Sequence, residues 1–151
     1  MTVESRASQP GEPGQADARP ATFGELLRRA AQQRPAEIAV VDGEHRWTWS
    51  QLHQAVADLA AGLVAAGLQR DDRLALQAPT TAEFVMVYLA ALQAGLVVVP
   101  VNPGYTVPEL EHILTDSGAR MLVTSSIATV AAADRLYQDH PQLDQIVVAA
   151  R

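Results

Sequence analysis

Between Thr48 and Gly67 the apolar residues recur with helical spacing: Leu52, Val56, Leu59, Ala60, Leu63 and Val64 fall on one stripe, and Gln51, Gln54 and Asp58 lie off it. That pattern predicts an amphipathic helix stopped by Gly67. A second segment, after Thr80, is apolar nearly all round (Phe84, Val85, Val87, Tyr88, Leu89, Leu92) and ends at Gly95, so it is predicted to be a helix buried between other elements. A third, after Thr106, carries Leu110, Ile113 and Leu114 on one side and ends at Gly118. Between these helices run short aliphatic stretches, Leu74 to Gln77, Leu96 to Val99, Met121 to Thr124 and Ile146 to Ala149. They have the length and the unbroken hydrophobicity of strands in a parallel sheet covered on both faces. Nearer the start, Glu37 to Val41 and His45 to Trp49 flank Asp42-Gly43, a dipeptide suited to a hairpin turn. A further helix is predicted over Ile127 to Tyr137, before the last strand.

The helix starts are marked four times by a Thr three residues before Glu or Gln: Thr22 with Glu25, Thr48 with Gln51, Thr80 with Glu83 and Thr106 with Glu109. In such a capping box the hydroxyl accepts from the backbone N–H three residues on, and the Glu or Gln reaches back to the Thr N–H. Pro108 fits a first turn, where no intrahelical N–H bond is lost. Helix, hairpin, then alternating helices and strands implies an α/β fold with mostly parallel strands joined by crossovers. No internal repeat or interior linker is visible. Residues 1–20 read as a disordered tail and residues 21–151 as one folding unit.

Composition narrows the function classes. The 151 residues are 48% hydrophobic and 19% charged, as in a soluble globular protein. A formal net charge of −6 offers no basic field for a phosphate backbone, so no nucleic-acid partner is expected. Cysteine is absent, which removes disulfides, thiolate metal sites and cysteine nucleophiles. The tail has Glu4, Glu12 and Asp17 and no apolar core, unlike a signal or transit peptide. The longest apolar run, Leu96 to Val101, is far short of the roughly 20 residues of a membrane span. A cytoplasmic protein without a transmembrane segment is the expectation.

Several features imitate functional motifs. Gly62 to Gly67 has the glycine spacing of a phosphate-binding loop, but Leu68-Gln69 stands where Lys and Ser/Thr are needed, and the segment lies in the amphipathic helix. No G-x-G-x-x-G occurs. His45, His53, His112 and His140 never fall four apart and have no cysteine companions, so they read as solvated surface histidines. Thr124-Ser125-Ser126 could offer hydroxyls to a phosphate but reads more simply as a helix cap. Glu109 and Glu111 point to different faces and make a poor acid/base pair. Asp71-Asp72-Arg73 reads as a charged turn into a strand. No residue of this chain is assigned a catalytic, cofactor-binding or metal-binding role.

Two stretches go beyond generic α/β patterning. Trp47-Thr48-Trp49-Ser50-Gln51-Leu52, with Ala60-Ala61-Gly62-Leu63 and Gly67-Leu68, resembles the opening signature of adenylate-forming enzymes. The run Leu89 to Gly95, then Val98-Val99-Pro100-Val101-Asn102-Pro103 and Tyr105 to Leu110, is similar to that family's next signature. Continued by Ser117-Gly118-Ala119-Arg120, it looks most like fatty-acyl-CoA and related acyl-CoA synthetases. Trp49 and Gln51 replace the family's usual Tyr and Glu, and Asp71 stands where a Gly-Asp turn is common.

The resemblance covers about residues 22–149. It implies the first part of such an enzyme's large domain, truncated before the phosphate loop. It further implies that an intact parent uses ATP, magnesium and coenzyme A to convert a carboxylic acid to an acyl-adenylate and then a thioester. The family's phosphate loop, magnesium-binding stretch, ribose-binding Asp and catalytic Lys normally follow the point where this sequence stops. The chain alone is therefore expected to be inactive, with no cofactor of its own. An exposed sheet edge could mediate self-association. A non-catalytic interaction domain remains open as an alternative, as do fatty-acyl-AMP ligase, aryl-CoA ligase and peptide-synthetase adenylation parentage.

Overall fold

The computed structural model describes residues 22–148. The expected tail, residues 1–20, and Ala149 of the last expected strand lie outside them. The elements in order are α1 (Phe23–Gln33), β1 (Ile38–Asp42), β2 (His45–Thr48), α2 (Trp49–Ala65), β3 (Arg73–Gln77), α3 (Ala82–Gln93), β4 (Val97–Val101), α4 (Val107–Ser117), β5 (Met121–Thr124), α5 (Ile127–Ala131), α6 (Ala133–Asp139) and β6 (Gln145–Val148). β1 and β2 form an antiparallel pair, and the other strands form a parallel sheet in the order β4-β3-β5-β6.

The two-residue period of a strand distributes the sheet's side chains to two cores. Leu74 and Leu76 of β3 and Met121 and Val123 of β5 pack with Leu68 and with Ala91 of α3. Ala75 and Leu122 point the other way, onto Leu110 and Leu114 of α4 and Leu136 of α6. A third cluster joins Leu27 of α1, Leu52 and Val56 of α2, and Ala82, Met86 and Ala90 of α3. α3 thus touches the sheet on one side and helices on another, which is why its sequence is apolar nearly all round. Burying a side chain such as Leu74 or Leu110 is worth about 1.5–3 kcal/mol.

The capping boxes at Thr22 and Thr48 form as the spacing predicts, with Glu25 N–H and Gln51 N–H each donating to the Thr hydroxyl at 3.2 Å. At Thr106 the backbone N–H and the hydroxyl both donate to Glu109 Oε2, at 2.8 and 2.7 Å. The third start differs: the cap of α3 is Thr81, not Thr80, and its hydroxyl accepts from Phe84 N–H at 3.4 Å. Ala82 N–H is taken by Asp42 Oδ2, 2.8 Å away, so the local pairing of Thr80 with Glu83 is displaced by a contact from the hairpin. In that hairpin Asp42 ends β1 opposite His45, and the turn is Gly43-Glu44 rather than Asp42-Gly43. Gly43 takes the left-handed φ of +57° at its first position, where a side chain would be strained.

The single helix expected over Ile127 to Tyr137 is divided at Ala132, and its second part runs on to Asp139. At the amino-terminal end of the sheet, Arg120 Nη1 donates to Asp72 Oδ2 at 2.7 Å and its Nε to Asp144 Oδ2 at 2.8 Å, tying together the entries to β3, β5 and β6. Asp71, in the same turn, is the one non-glycine among the described residues with a positive φ, +69°.

Candidate functional site

In an open parallel sheet, ligands bind beyond the carboxyl ends of the strands where the strand order reverses. The order β4-β3-β5-β6 places that reversal between β3 and β5, and the residues there are Gln77 and Thr124, paired in register. Gln77 is fully buried. Its Oε1 accepts from Thr124 Oγ1 at 2.9 Å and from Thr129 Oγ1 of α5 at 2.8 Å. Its Nε2 is buried without a hydrogen-bond partner.

The adjoining loop is occupied with its own backbone. Ser126 N–H donates to Thr124 Oγ1 at 3.0 Å, Ser125 N–H to Gln77 O at 3.1 Å, and Thr129 N–H to Ser126 Oγ at 3.3 Å, which makes Ser126 the cap of α5. Thr124-Ser125-Ser126 is therefore the helix cap its sequence suggested, with the Thr124 and Ser126 hydroxyls engaged in these bonds. Gln77 went unnoticed in the sequence, although a lone amide ending the aliphatic run Leu74 to Leu76 was the available signal.

The other sequence features are dispersed. Gly62 lies inside α2 and Gly67 beyond its end with φ of +95°, so neither belongs to a loop around an anion. His45 and His112 are exposed and His53 is half-buried, but His140 is buried, with Nε2 unpaired. This corrects the expectation of four solvated histidines: His140 caps the end of α6, its backbone N–H bonded to Leu136 O at 3.0 Å and its carbonyl accepting from Leu143 N–H at 2.8 Å. Glu109 serves Thr106, whereas Glu111 forms an ion pair with Arg135 of α6. The two carboxylates do different work on different faces.

Several of the basic side chains are committed to the fold. The chain has no lysine, so each of its 11 basic residues is an arginine. Arg73 is spent on the carbonyls ending α4, Arg120 on Asp72 and Asp144, Arg135 on Glu111, and Arg34 lies 5.3 Å over the Trp49 ring. No cluster of three His, Cys, Asp or Glu suited to a metal ion occurs among the described residues, nor a helix long and apolar enough to cross a membrane. What the surface offers instead is an apolar groove between α2 and the sheet, lined by Leu59, Gly62, Leu63, Ala66, Val123 and Val147.

Comparison with known proteins follows the same pattern of sequence. Residues 27–151 match the family described as AMP-binding enzyme. The mitochondrial medium-chain acyl-CoA ligase of Macaca fascicularis is 39% identical over 104 residues, covering 68% of this chain and 17% of the relative. A feruloyl-CoA synthase of an Amycolatopsis species is 38% identical over 121 residues, covering 77% of this chain and 25% of the relative. Among solved structures, a Mycobacterium tuberculosis fatty acyl CoA synthetase superposes with a TM-score of 0.77 at 31% identity, covering 85% of this chain and 26% of that one. The chain thus spans about a sixth to a quarter of the length of these relatives.

Proposed function

Since this chain belongs to the AMP-binding enzyme family, we propose that it is the amino-terminal part of an acyl-CoA synthetase and supplies scaffold rather than chemistry. Support for the parentage comes from the run Val98 to Leu110, which carries β4 across its turn into the capped helix α4 and which resembles the acyl-CoA synthetase signature. The relatives named above are acid-CoA ligases. In the parent, ATP converts the acid's oxygen, a poor leaving group, to AMP, a good one, before the thiol of coenzyme A takes the acyl group. ATP, magnesium and coenzyme A belong to that parent reaction.

Residues 21–151 contribute the first part of its large domain, and the arginines and carboxylates described above are consumed in holding that part together. No residue here is assigned to catalysis, to a cofactor or to a metal. The acid is not selected by these residues, so fatty-acyl-AMP ligase, aryl-CoA ligase and peptide-synthetase adenylation domain share the proposal. The protein is placed in the cytoplasm, and its exposed sheet edge is proposed to mediate self-association.

The decisive assay is acid-dependent exchange of pyrophosphate into ATP with the pure 151-residue chain. Exchange indistinguishable from a blank without protein is expected; exchange clearly above it overturns the assignment of the chemistry elsewhere. A second reading, a non-catalytic interaction domain, draws on the open groove beside α2. A stop codon directly after Arg151 in the gene would favour it, and a downstream Thr-Ser-Gly-Thr-Thr-Gly-type loop would favour the synthetase.

A further inference from the structure

The hairpin contains a chemically labile dipeptide. An aspartate followed by glycine can cyclise, because glycine has no side chain to hinder its own nitrogen as it attacks the neighbouring carboxyl. Asp42-Gly43 is the only such pair in the sequence, and no asparagine precedes a glycine either. Gly43 is exposed and takes the left-handed φ of +57° that opens the turn. Two restraints act on Asp42. Its backbone ends β1 in register with His45, and its Oδ2 accepts from Ala82 N–H at 2.8 Å. Cyclisation needs both to yield. The carboxyl carbon must turn back onto Gly43 N, away from Ala82, and the carboxyl must be protonated so that its oxygen can leave as water.

We propose that Asp42-Gly43 is a self-modification site that converts to isoaspartate, and that the Ala82 N–H is the restraint that sets its pace. Gly43 N bonds to Asp42 Cγ, and the amide proton leaves with the carboxyl's OH as one water, closing a cyclic imide. A second water then opens the imide at the former backbone carbonyl. That C–N bond breaks, the carbon takes OH, the nitrogen takes back a proton, and the chain now runs through Cγ. Water released equals water consumed, and no oxidant, reductant or second substrate enters. Being intramolecular, the reaction needs no partner surface. The product differs in geometry. The backbone gains one carbon in a two-residue turn, and the free carboxylate sits directly on Cα, one carbon short of the arm that reaches Ala82. The first N–H of α3 then loses its acceptor. Because α3 packs on Leu27 of α1, on Leu52 and Val56 of α2 and, through Ala91, on the sheet, a change at a solvent-facing turn is passed to a helix in the core.

The test ages the full chain in warm neutral buffer, with and without urea. Isoaspartate is counted with an isoaspartyl methyltransferase and located by electron-transfer fragmentation of the tryptic peptide Ala30 to Arg46. It is expected at residue 42, forming faster in urea than in the folded chain. Ala82→Pro removes the restraining N–H from a first helical position that suits proline, after a Thr81 that is already extended. With circular dichroism confirming its fold, this variant should convert roughly tenfold faster than the unaltered chain, the worth of a hydrogen bond to a charged group. A folded Ala82→Pro that converts no faster overturns the restraint. Absence of isoaspartate at residue 42 even in urea overturns the site, and equal rates in the folded and urea-treated chains overturn protection by the fold. Should Ala82→Pro not fold, the aged chain decides. Its isoaspartate-bearing fraction must unfold at lower urea than the unconverted fraction, by at least the shift that Asp42→Ala produces, and coincident midpoints refute the proposal.

Discussion

Asp42 at the end of β1 holds the first N–H of α3 through its Oδ2, 2.8 Å from Ala82 N and 40 residues away in sequence. The bond satisfies a donor that the helix cannot use itself and sets a negative charge at the positive end of its dipole. Asp42→Ala should therefore cost about 1 kcal/mol, with Asp42→Asn retaining most of the stability because an acceptor remains. Urea denaturation of the three proteins checks this. Equal midpoints for Asp42→Ala and the unaltered chain would show that the contact carries no energy.

Asp71 holds a left-handed backbone, φ +69°, with its N–H bonded to Gly95 O at 2.9 Å. Its side chain is exposed and lies 3.9 Å from Arg70, an ion pair of little worth in water. Asp71→Gly should relieve strain of order 1 kcal/mol, partly offset by the freedom glycine gains when unfolded, leaving a net stabilisation of about 0.5 kcal/mol. A thermal midpoint that falls on this substitution would contradict the strain.

The buried amide of Gln77 accepts from two threonines, so Gln77→Leu leaves both hydroxyls without an acceptor and should cost about 1–3 kcal/mol for each donor stranded. Replacing Thr124 and Thr129 by Val in the same protein should recover part of that loss, because neither hydroxyl is then left unpaired and only the Ser126 N–H loses its Thr124 acceptor. Denaturation midpoints of the single and triple variants decide it. Additive losses would mean that the three side chains act independently.

Glu109 titrates below its ordinary value of 4.5 because the Thr106 hydroxyl, and then the Thr106 N–H, donate to its carboxylate. A depressed carboxylate stabilises the fold above its unfolded pKa, and that stabilisation disappears as pH falls through the folded value. Glu109→Gln should thus be less stable than the unaltered chain at neutral pH, with the gap closing below about pH 4.5. Unfolding curves measured across pH 3 to 7 would refute this if the gap stayed constant.

What could be read from sequence was what is local. The stripe from Leu52 to Val64, the unbroken strand Leu74 to Leu76, and the boxes at Thr22, Thr48 and Thr106 each depend on residues within a few positions, so spacing revealed them. The cap on α3 escaped because its acceptor, Asp42, arrives from another element and competes with Thr80. His140 and Gln77 escaped because polarity signals exposure, while both are buried in the fold, Gln77 against Thr124 and Thr129. The candidate site was the least legible part: it consists of a single amide in strand context, and only the strand order reveals that it sits at the reversal.

Arg73 donates to Ser117 O at 2.9 Å and to Gly118 O at 2.6 Å, and a Cβ on Gly118 would come within 3.0 Å of the same guanidinium. Position 118 is thus constrained twice, by its φ of +60° and by a side chain that starts 45 residues earlier. Drift at the two positions is conditional. An asparagine at 118 tolerates the backbone angle but pushes the Arg73 guanidinium back by a few tenths of an ångström, and a shorter residue at 73 releases the two carbonyls that the arginine holds. Among diverging copies of this sequence the pair should change together or remain fixed together.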